Sequence, residues 1–330
     1  MVARRHHYLP QCYLKGFSKP RKRGKSHHVH VYDRSGKTFN ANIINIATKK
    51  DFNRVEIEGH PPDAFEQRLA KFEGELAPAL VRILEGRSLK NDDDRALLFN
   101  LIAMSAIRTP QHRETVRDFH EQTAQIIMDL ATATKERWEG QMRRMKAEGY
   151  VPEDDVPYEE MRAAVIGRKF RIRVPTEQHI EMEMHALDAV LPTLFKRKWV
   201  VLLPPMESAG FVTCDHPVCL MFSDPKMRGK FKGPGHGLAG TQLIFPIGTH
   251  MAIVGAYEIE EGMLKLNEDR VAGVNGALVT YADRQVYAAN PDFAYVRQEN
   301  EKPRLGSSLI KDIHFRRNRE KGVAAELAKP

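Results

Sequence analysis

The chain has 330 residues, 42% hydrophobic and 28% charged, a balance that fits a globular protein and excludes a disordered chain. Lysine and arginine number 51 against 43 acidic residues, so the net charge is +8. No run of about 18 apolar residues occurs, which excludes an ordinary transmembrane helix. The three cysteines, Cys12, Cys214 and Cys219, form no CxxC pair and fit a reducing, cytoplasmic compartment.

The N-terminus, MVARRHHYLP, lacks the apolar core of a signal peptide. The first 25 residues hold Arg4, Arg5, Lys15, Lys19, Arg21, Lys22, Arg23 and Lys25 and no acid, which accounts for the whole charge excess. Such a segment attracts phosphate through counterion release. Arg4, Arg5, Lys19, Arg21, Lys22, Arg23 and Lys25 are therefore candidate nucleic-acid contacts; a solvated basic loop is the plainer alternative.

Residues 1–60 read as β-rich: His28 to Tyr32 alternates polar and apolar, and 42–47 is a short apolar run. Residues 61–198 read as helical. Phe65, Leu69, Phe72, Leu76, Leu80 and Ile83 recur at spacings of three and four, with Asp63 and Glu66 as a capping box. A second helix starts at Asn91-Asp92 and ends near Arg108. A third is expected from Pro110 to Glu148, with Thr109 as its N-cap and Gly149 as its stop. After a polar break at 152–157 and a short helix at 158–166, GRKFRIRVP reads as an edge strand. It carries Arg168, Lys169, Arg171 and Arg173, with Arg162 just before. Thr176 caps a helix bearing Ile180, Met184, Leu187, Leu191 and Leu194, which Pro192 should kink.

Residues 199–315 return to strands, at 199–203, 211–222, 242–246, 251–257 and 285–288. A long loop is expected at 223–240 and a helix at 269–281. Residues 316–330 read as a basic tail. Strand, helix and strand blocks in succession predict an α+β fold. A mixed or antiparallel sheet would come from the N- and C-terminal segments around a helical middle, probed as one composite domain.

Several motifs fail on inspection. GHGLAG at 235–240 matches GxGxxG, but a polar loop precedes it and strand-like TQLIF follows, where the fingerprint needs a strand and then a helix. Gly24-Lys25-Ser26 lacks the first glycine of a phosphate loop. His179/Glu183 and Glu181/His185 are each four apart and share helix faces, as exposed pairs usually do; His28 and His30 alone make a weak metal site. Cys214, beside Asp215 and His216, reads as a small buried thiol before a nucleophile.

The string HHYLPQCYLKGF at 6–17 resembles the opening motif of the bacterial family of domain of unknown function 4238, through His7, Tyr8, Pro10, Tyr13, Leu14 and Phe17. IATKKDF at 46–52, Glu66 and Glu73, Arg108-Thr109-Pro110, Trp199, FVTCDHPV at 211–218, IFPI at 244–247 and Asn275 are similar in order. Cys214 stands where the family usually has serine, which weakens any mechanism needing a hydroxyl there. The resemblance spans roughly residues 6–290 and implies no established activity. The family's bacterial character implies, as a third reading, a place in a stress or anti-phage system.

A convergent set of His7, Glu73 and Asp215 would offer hard ligands to Mg²⁺ or Mn²⁺, and the metal would activate water. His7, Arg108 and Asp215 are then the candidate catalytic residues, with His7 as ligand or base and Arg108 stabilising developing charge. The expected function is a metal-assisted, nuclease-like hydrolase of nucleic acid or another phosphate ester. The alternative is a non-catalytic module binding nucleic acid or a protein. A structural role for the same residues is equally concrete: His7 on a buried carbonyl, Glu66 as a cap with Arg108 as its ion-pair partner, Asp215 holding the turn at Pro217.

Overall fold

The computed structural model describes residues 4–21, 26–151, 156–227, 233–297, 301–312 and 315. The chain divides into two compact units, one of Met1–Thr109 with Ile180–Pro330, the other of Pro110–His179.

In chain order the first part of the larger unit holds β1 (Arg5–His7), α1 (Gln11–Lys15), β2 (Lys19–Arg21), β3 (Ser26–Asp33), β4 (Lys37–Asn42), β5 (Thr48–Lys50), α2 (Ala64–Gly86) and α3 (Asp92–Ile107). The smaller unit holds α4 (Pro110–Ala131), α5 (Lys135–Ala147), α6 (Tyr158–Ile166) and the first turn of α7 (Thr176–Lys196). The rest of α7 belongs to the larger unit, as do β6 (Lys198–Leu203), β7 (Thr213–Cys214), β8 (Cys219–Phe222), β9 (Thr241–Gly248), β10 (Met251–Ala256) and β11 (Gly262–Lys265). α8 (Glu268–Tyr281), β12 (Gln285–Ala288), β13 (Ala294–Tyr295) and β14 (Arg304–Leu305) complete it. The fold is α+β with mostly antiparallel pairing, as expected. No helix among the described residues is long and apolar enough to cross a membrane.

The central sheet runs β11-β6-β10-β9-β8, with only β11 parallel to its neighbour. Its strands alternate between two cores. Trp199, Val201, Leu203, Phe245 and Ile253 face a cluster with Leu76, Leu80 and Ile83 of α2 and Leu98 and Ile102 of α3. Leu202, Ile244 and Ala252 face a second cluster with Val271, Val274 and Leu278 of α8. Successive strand residues point to opposite faces, so a sheet covered on both sides needs the near-continuous apolar runs KWVVLL and MAIVGA. A second sheet, β2-β3-β12-β7 with β4 also on β3, joins the N- and C-terminal segments through Val31 opposite Tyr287. The two-stranded ribbon β1-β5 sets His7 opposite Thr48.

Four local expectations change. The helix expected over Pro110 to Glu148 breaks after Ala131, where Thr132 Oγ1 turns back to the Met128 carbonyl and Thr134 accepts from the Arg137 amide to cap α5. Asp63 occupies the N-cap of α2 without a side-chain bond to the helix backbone, its Oδ1 accepting from Gln67 Nε2 at 3.2 Å, so there is no capping box. The strand expected over 211–222 is two short strands, β7 and β8, interrupted around Asp215. GRKFRIRVP is not a strand but an irregular connection between α6 and α7. The tail at 316–330 lies outside the described residues.

Candidate acid–base site

β1 carries two histidines in succession, and a strand must send them to opposite faces. His6 goes in and is 3% exposed. Its Nδ1 accepts the backbone N–H of Asn53 at 2.9 Å, which leaves Nε2 as the protonated nitrogen of the neutral ring. His7 is half-buried, and its Nε2 lies 3.4 Å from the Ile43 carbonyl, an acceptor, so its Nδ1 is left as the basic nitrogen. Burial holds the His7 ring below the usual histidine range; the Ile43 bond and the Glu66 charge oppose this, and Arg5 adds to it.

Asn53 is fully buried and joins three elements. Besides its backbone bond to His6, its amide donates to Glu66 Oε1 at 2.6 Å, and its Oδ1 accepts from Arg108 Nη2 at 2.8 Å. Arg108, at the C-terminal end of α3, also faces Glu183 Oε2 at 3.6 Å and stacks 5.1 Å from the Phe65 ring centroid. Arg108 and Glu183 are buried, whereas the Glu66 side chain is 33% exposed. The network thus has a buried floor of His6, Asn53, Arg108 and Glu183, with Glu66 at its partly exposed edge.

Glu73 lies two turns beyond Glu66 on α2. Burial and the Glu66 charge push its carboxyl up to about 7, and Arg108 pulls the other way. Burial and Glu73 together push the Cys12 thiol of α1 up to about 12, so this cysteine is a closed neighbour and not a nucleophile.

Asp215 stands apart. It is buried, and its carboxylate accepts backbone N–H groups of Asp283, Arg284 and Gln285 at 2.8, 2.7 and 2.9 Å. Burial and Asp283 push the acid up to about 7 against those three donors. Its charge is felt by the buried hydroxyl of Tyr8, the residue after His7, while the charges acting on His7 are those of Glu66 and Arg5. The structure therefore places His7 within the influence of the Glu66 charge, and Glu73 within that of Glu66 and Arg108, and gives Asp215 to the turn before β12. Cys214 is buried, and burial with Asp215 drives its thiol well above the usual range. Among the described residues no three His, Cys, Asp or Glu side chains are placed to hold a metal ion.

Of the expected nucleic-acid contacts, Arg4 forms a two-pronged pair with Asp51 at 3.0 and 2.6 Å, and Arg5 donates to Thr48 Oγ1 at 2.9 Å. Lys19 is exposed on β2, opposite His28. The Arg21 side chain and Lys22, Arg23 and Lys25 lie outside the described residues. Sequence reasoning missed His6 and Asn53 and took Glu183 with His179 for an exposed pair, whereas Glu183 is buried and faces Arg108. The alternation rule signals that one histidine of the pair faces inward; nothing near Asn53 or Glu183 signals their partners.

The model of the family described as "Protein of unknown function (DUF4238)" matches residues 5–292, and the chain belongs to that family. No curated protein and no solved structure matches it.

Proposed function

We propose that this protein hydrolyses phosphate esters, with nucleic acid as the substrate class, by general acid–base chemistry between His7 and Glu73. One observation supports the reading: the Glu66 charge acts on both groups, and burial shifts them toward neutrality from opposite sides, lowering the His7 ring and raising the Glu73 carboxyl to about 7. Pairs of titratable groups pushed toward neutrality from opposite sides suit one as base and the other as acid. Nδ1 of His7 takes a proton from water as the oxygen attacks phosphorus. Glu73 gives its proton to the leaving alcohol oxygen as that P–O bond breaks. The proton then passes from His7 back to Glu73 through solvent. Arg5 and Lys50, exposed on the β1-β5 ribbon beside His7, supply positive charge for the ester's phosphate.

The test is cleavage of end-labelled RNA and DNA, in EDTA and separately in Mg²⁺ or Mn²⁺. Glu73→Gln and His7→Ala should each lose about 10²-fold in rate or more. Absence of cleavage in every condition, or equal rates in the three proteins, removes the proposal. Binding without chemistry is the second reading, favoured by the full commitment of Asn53 within the floor; it requires nucleic-acid affinity unchanged by Glu73→Gln.

A further inference from the structure

The acid–base site leaves unused the basic segment after α6. α6 is fixed within the smaller unit by Gln125 Nε2 on the Val165 carbonyl at 3.2 Å and by Arg162 on Asp129 at 3.4 Å. It ends at Gly167, and Arg168 turns the chain out with φ +47° while its N–H bonds the Val165 carbonyl at 3.1 Å. From there to Thr176 the burial alternates: Lys169, Arg171 and Arg173 are exposed, and Phe170, Ile172 and Val174 are half-buried. The segment 167–174 contains four cations and no acid.

Among the described residues these cations stand without acidic partners, as do Arg137, Arg143 and Arg144 of α5, whereas others in the unit are paired. In the same unit Arg117 pairs with Asp118 at 2.8 Å, Lys135 with Glu139 at 4.0 Å and Arg162 with Asp129. Lys169, Arg171 and Arg173 make no ion pair or side-chain hydrogen bond among the described residues. Burial alternates residue by residue, as along an extended chain, in which alternate residues are about 7 Å apart; at that step the three cations share one exposed side. The step is about twice the axial rise per phosphate of one duplex strand, and it suits neighbouring phosphates of a stretched single strand. The half-buried Phe170 and Ile172 sit between the cations, as apolar and aromatic groups do in grooves that track single strands.

We propose that Lys169, Arg171 and Arg173 form a binding track for the phosphate backbone of single-stranded nucleic acid. The track is separate from His7 and Glu73 and stands or falls without them.

The experiment measures fluorescence anisotropy of labelled oligothymidylate and oligouridylate with the full chain across a salt series. The same is done for Lys169→Gln/Arg171→Gln/Arg173→Gln and for a charge-keeping Lys169→Arg/Arg171→Lys/Arg173→Lys variant. Single-strand binding carries a log–log salt slope of about −0.7 per phosphate contact, so the glutamine variant should be shallower by about 2 and weaker by tenfold or more at low salt. The charge-keeping variant should bind like the parent. Circular dichroism melting separates lost binding from lost folding, since these side chains are exposed. Unchanged affinity and slope in the glutamine variant overturn the proposal. So does duplex binding as tight as single-strand binding, or binding only to phosphatidylserine vesicles or a polyglutamate peptide.

Discussion

The guanidinium of Arg108 and the carboxamide of Asn53 meet at 2.8 Å in the protein interior, and Asn53 passes the connection on to Glu66 and His6. Every polar group of that side chain is used. Removing it strips Arg108 and Glu66 of a partner in a place that water enters only from the Glu66 edge. Asn53→Ala is expected to cost about 2–4 kcal/mol in urea unfolding, since buried groups left unsatisfied lose their full desolvation penalty. A cost below about 0.5 kcal/mol would show that the network does not hold the site.

Glu73 sets a pH dependence whose sign follows from its environment. Its folded-state value, about 7, lies above the 4.5 of an ordinary glutamate, so the folded protein holds a proton that the unfolded chain releases between those values. The resulting stability is complete below pH 4.5 and is lost as pH rises through 7, by on the order of 3 kcal/mol. Asp215 is shifted in the same direction and adds to the slope in the parent protein. The comparison that isolates Glu73 is Glu73→Gln, which should lose its share of the fall between pH 5 and about 7.5 and be the more stable protein at pH 8. Denaturant titrations at intervals across this range measure it; parallel curves for the two proteins would contradict the assignment.

Asp215 is predicted to be a structural acid. Its two oxygens serve three backbone N–H groups of the turn into β12, and Asp215→Ala leaves all three without that acceptor. The expected loss is about 3 kcal/mol or more. If the folded fraction of this variant, separated by size-exclusion chromatography, hydrolyses phosphate esters at the parent rate, Asp215 has no part in the chemistry. A fully stable but inactive variant would return it to the site.

The α+β class was legible because block order and periodicity are local. α2, α3, α8 and β6, β9 and β10 of the central sheet lie within a few residues of the positions that the sequence pattern predicts, whereas the exposed edge strand β11 was not expected. Errors arose where short side chains redirected the backbone, as at Thr132 and Thr134, whose hydroxyls end one helix and cap the next. The site was half legible. Glu73 lies within the influence of Arg108, and His7 within that of Glu66, but Asp215 holds a turn, because the choice between reaching a cleft and clamping a turn depends on a loop 68 residues away. Asn53 left no local trace, since its three partners come from β1, α2 and the end of α3.

Two glycines of α8 should respond oppositely to alanine. A Cβ at Gly276 would sit 2.1 Å from the Val296 carbonyl oxygen, a backbone atom that cannot swing aside, whereas at Gly273 it meets nothing within 4 Å. Gly276→Ala must push α8 off the chain following β13 and should destabilise by about 2 kcal/mol or more, as overpacking does. Gly273→Ala gains only helix propensity, up to about 1 kcal/mol. Calorimetric melting that moves both variants the same way would refute this packing of α8.

Arg197 provides the last test, because it ties the loop before β9 to the sheet by its side chain alone. Its guanidinium donates to the carbonyls of Thr241, Gly255 and His236 at 2.8, 3.1 and 2.8 Å and to Thr241 Oγ1 at 2.8 Å, and it stacks 4.5 Å from the Tyr257 ring centroid. Tyr257 donates from its hydroxyl to the same His236 carbonyl at 2.8 Å, so the loop has two anchors meeting at one oxygen. Arg197→Met keeps the stem and the packing but takes this donor from the Thr241 and Gly255 carbonyls and the Thr241 hydroxyl and leaves the His236 carbonyl to Tyr257 alone, a loss of about 3 kcal/mol or more. Tyr257→Phe removes one bond and should cost about 1 kcal/mol. Because both act on the His236 carbonyl, the double variant should lose less than the two single losses added together. Limited proteolysis should cut Arg197→Met around residues 233–240 faster than the parent. Equal cutting rates would mean that the loop is held by contacts other than this arginine.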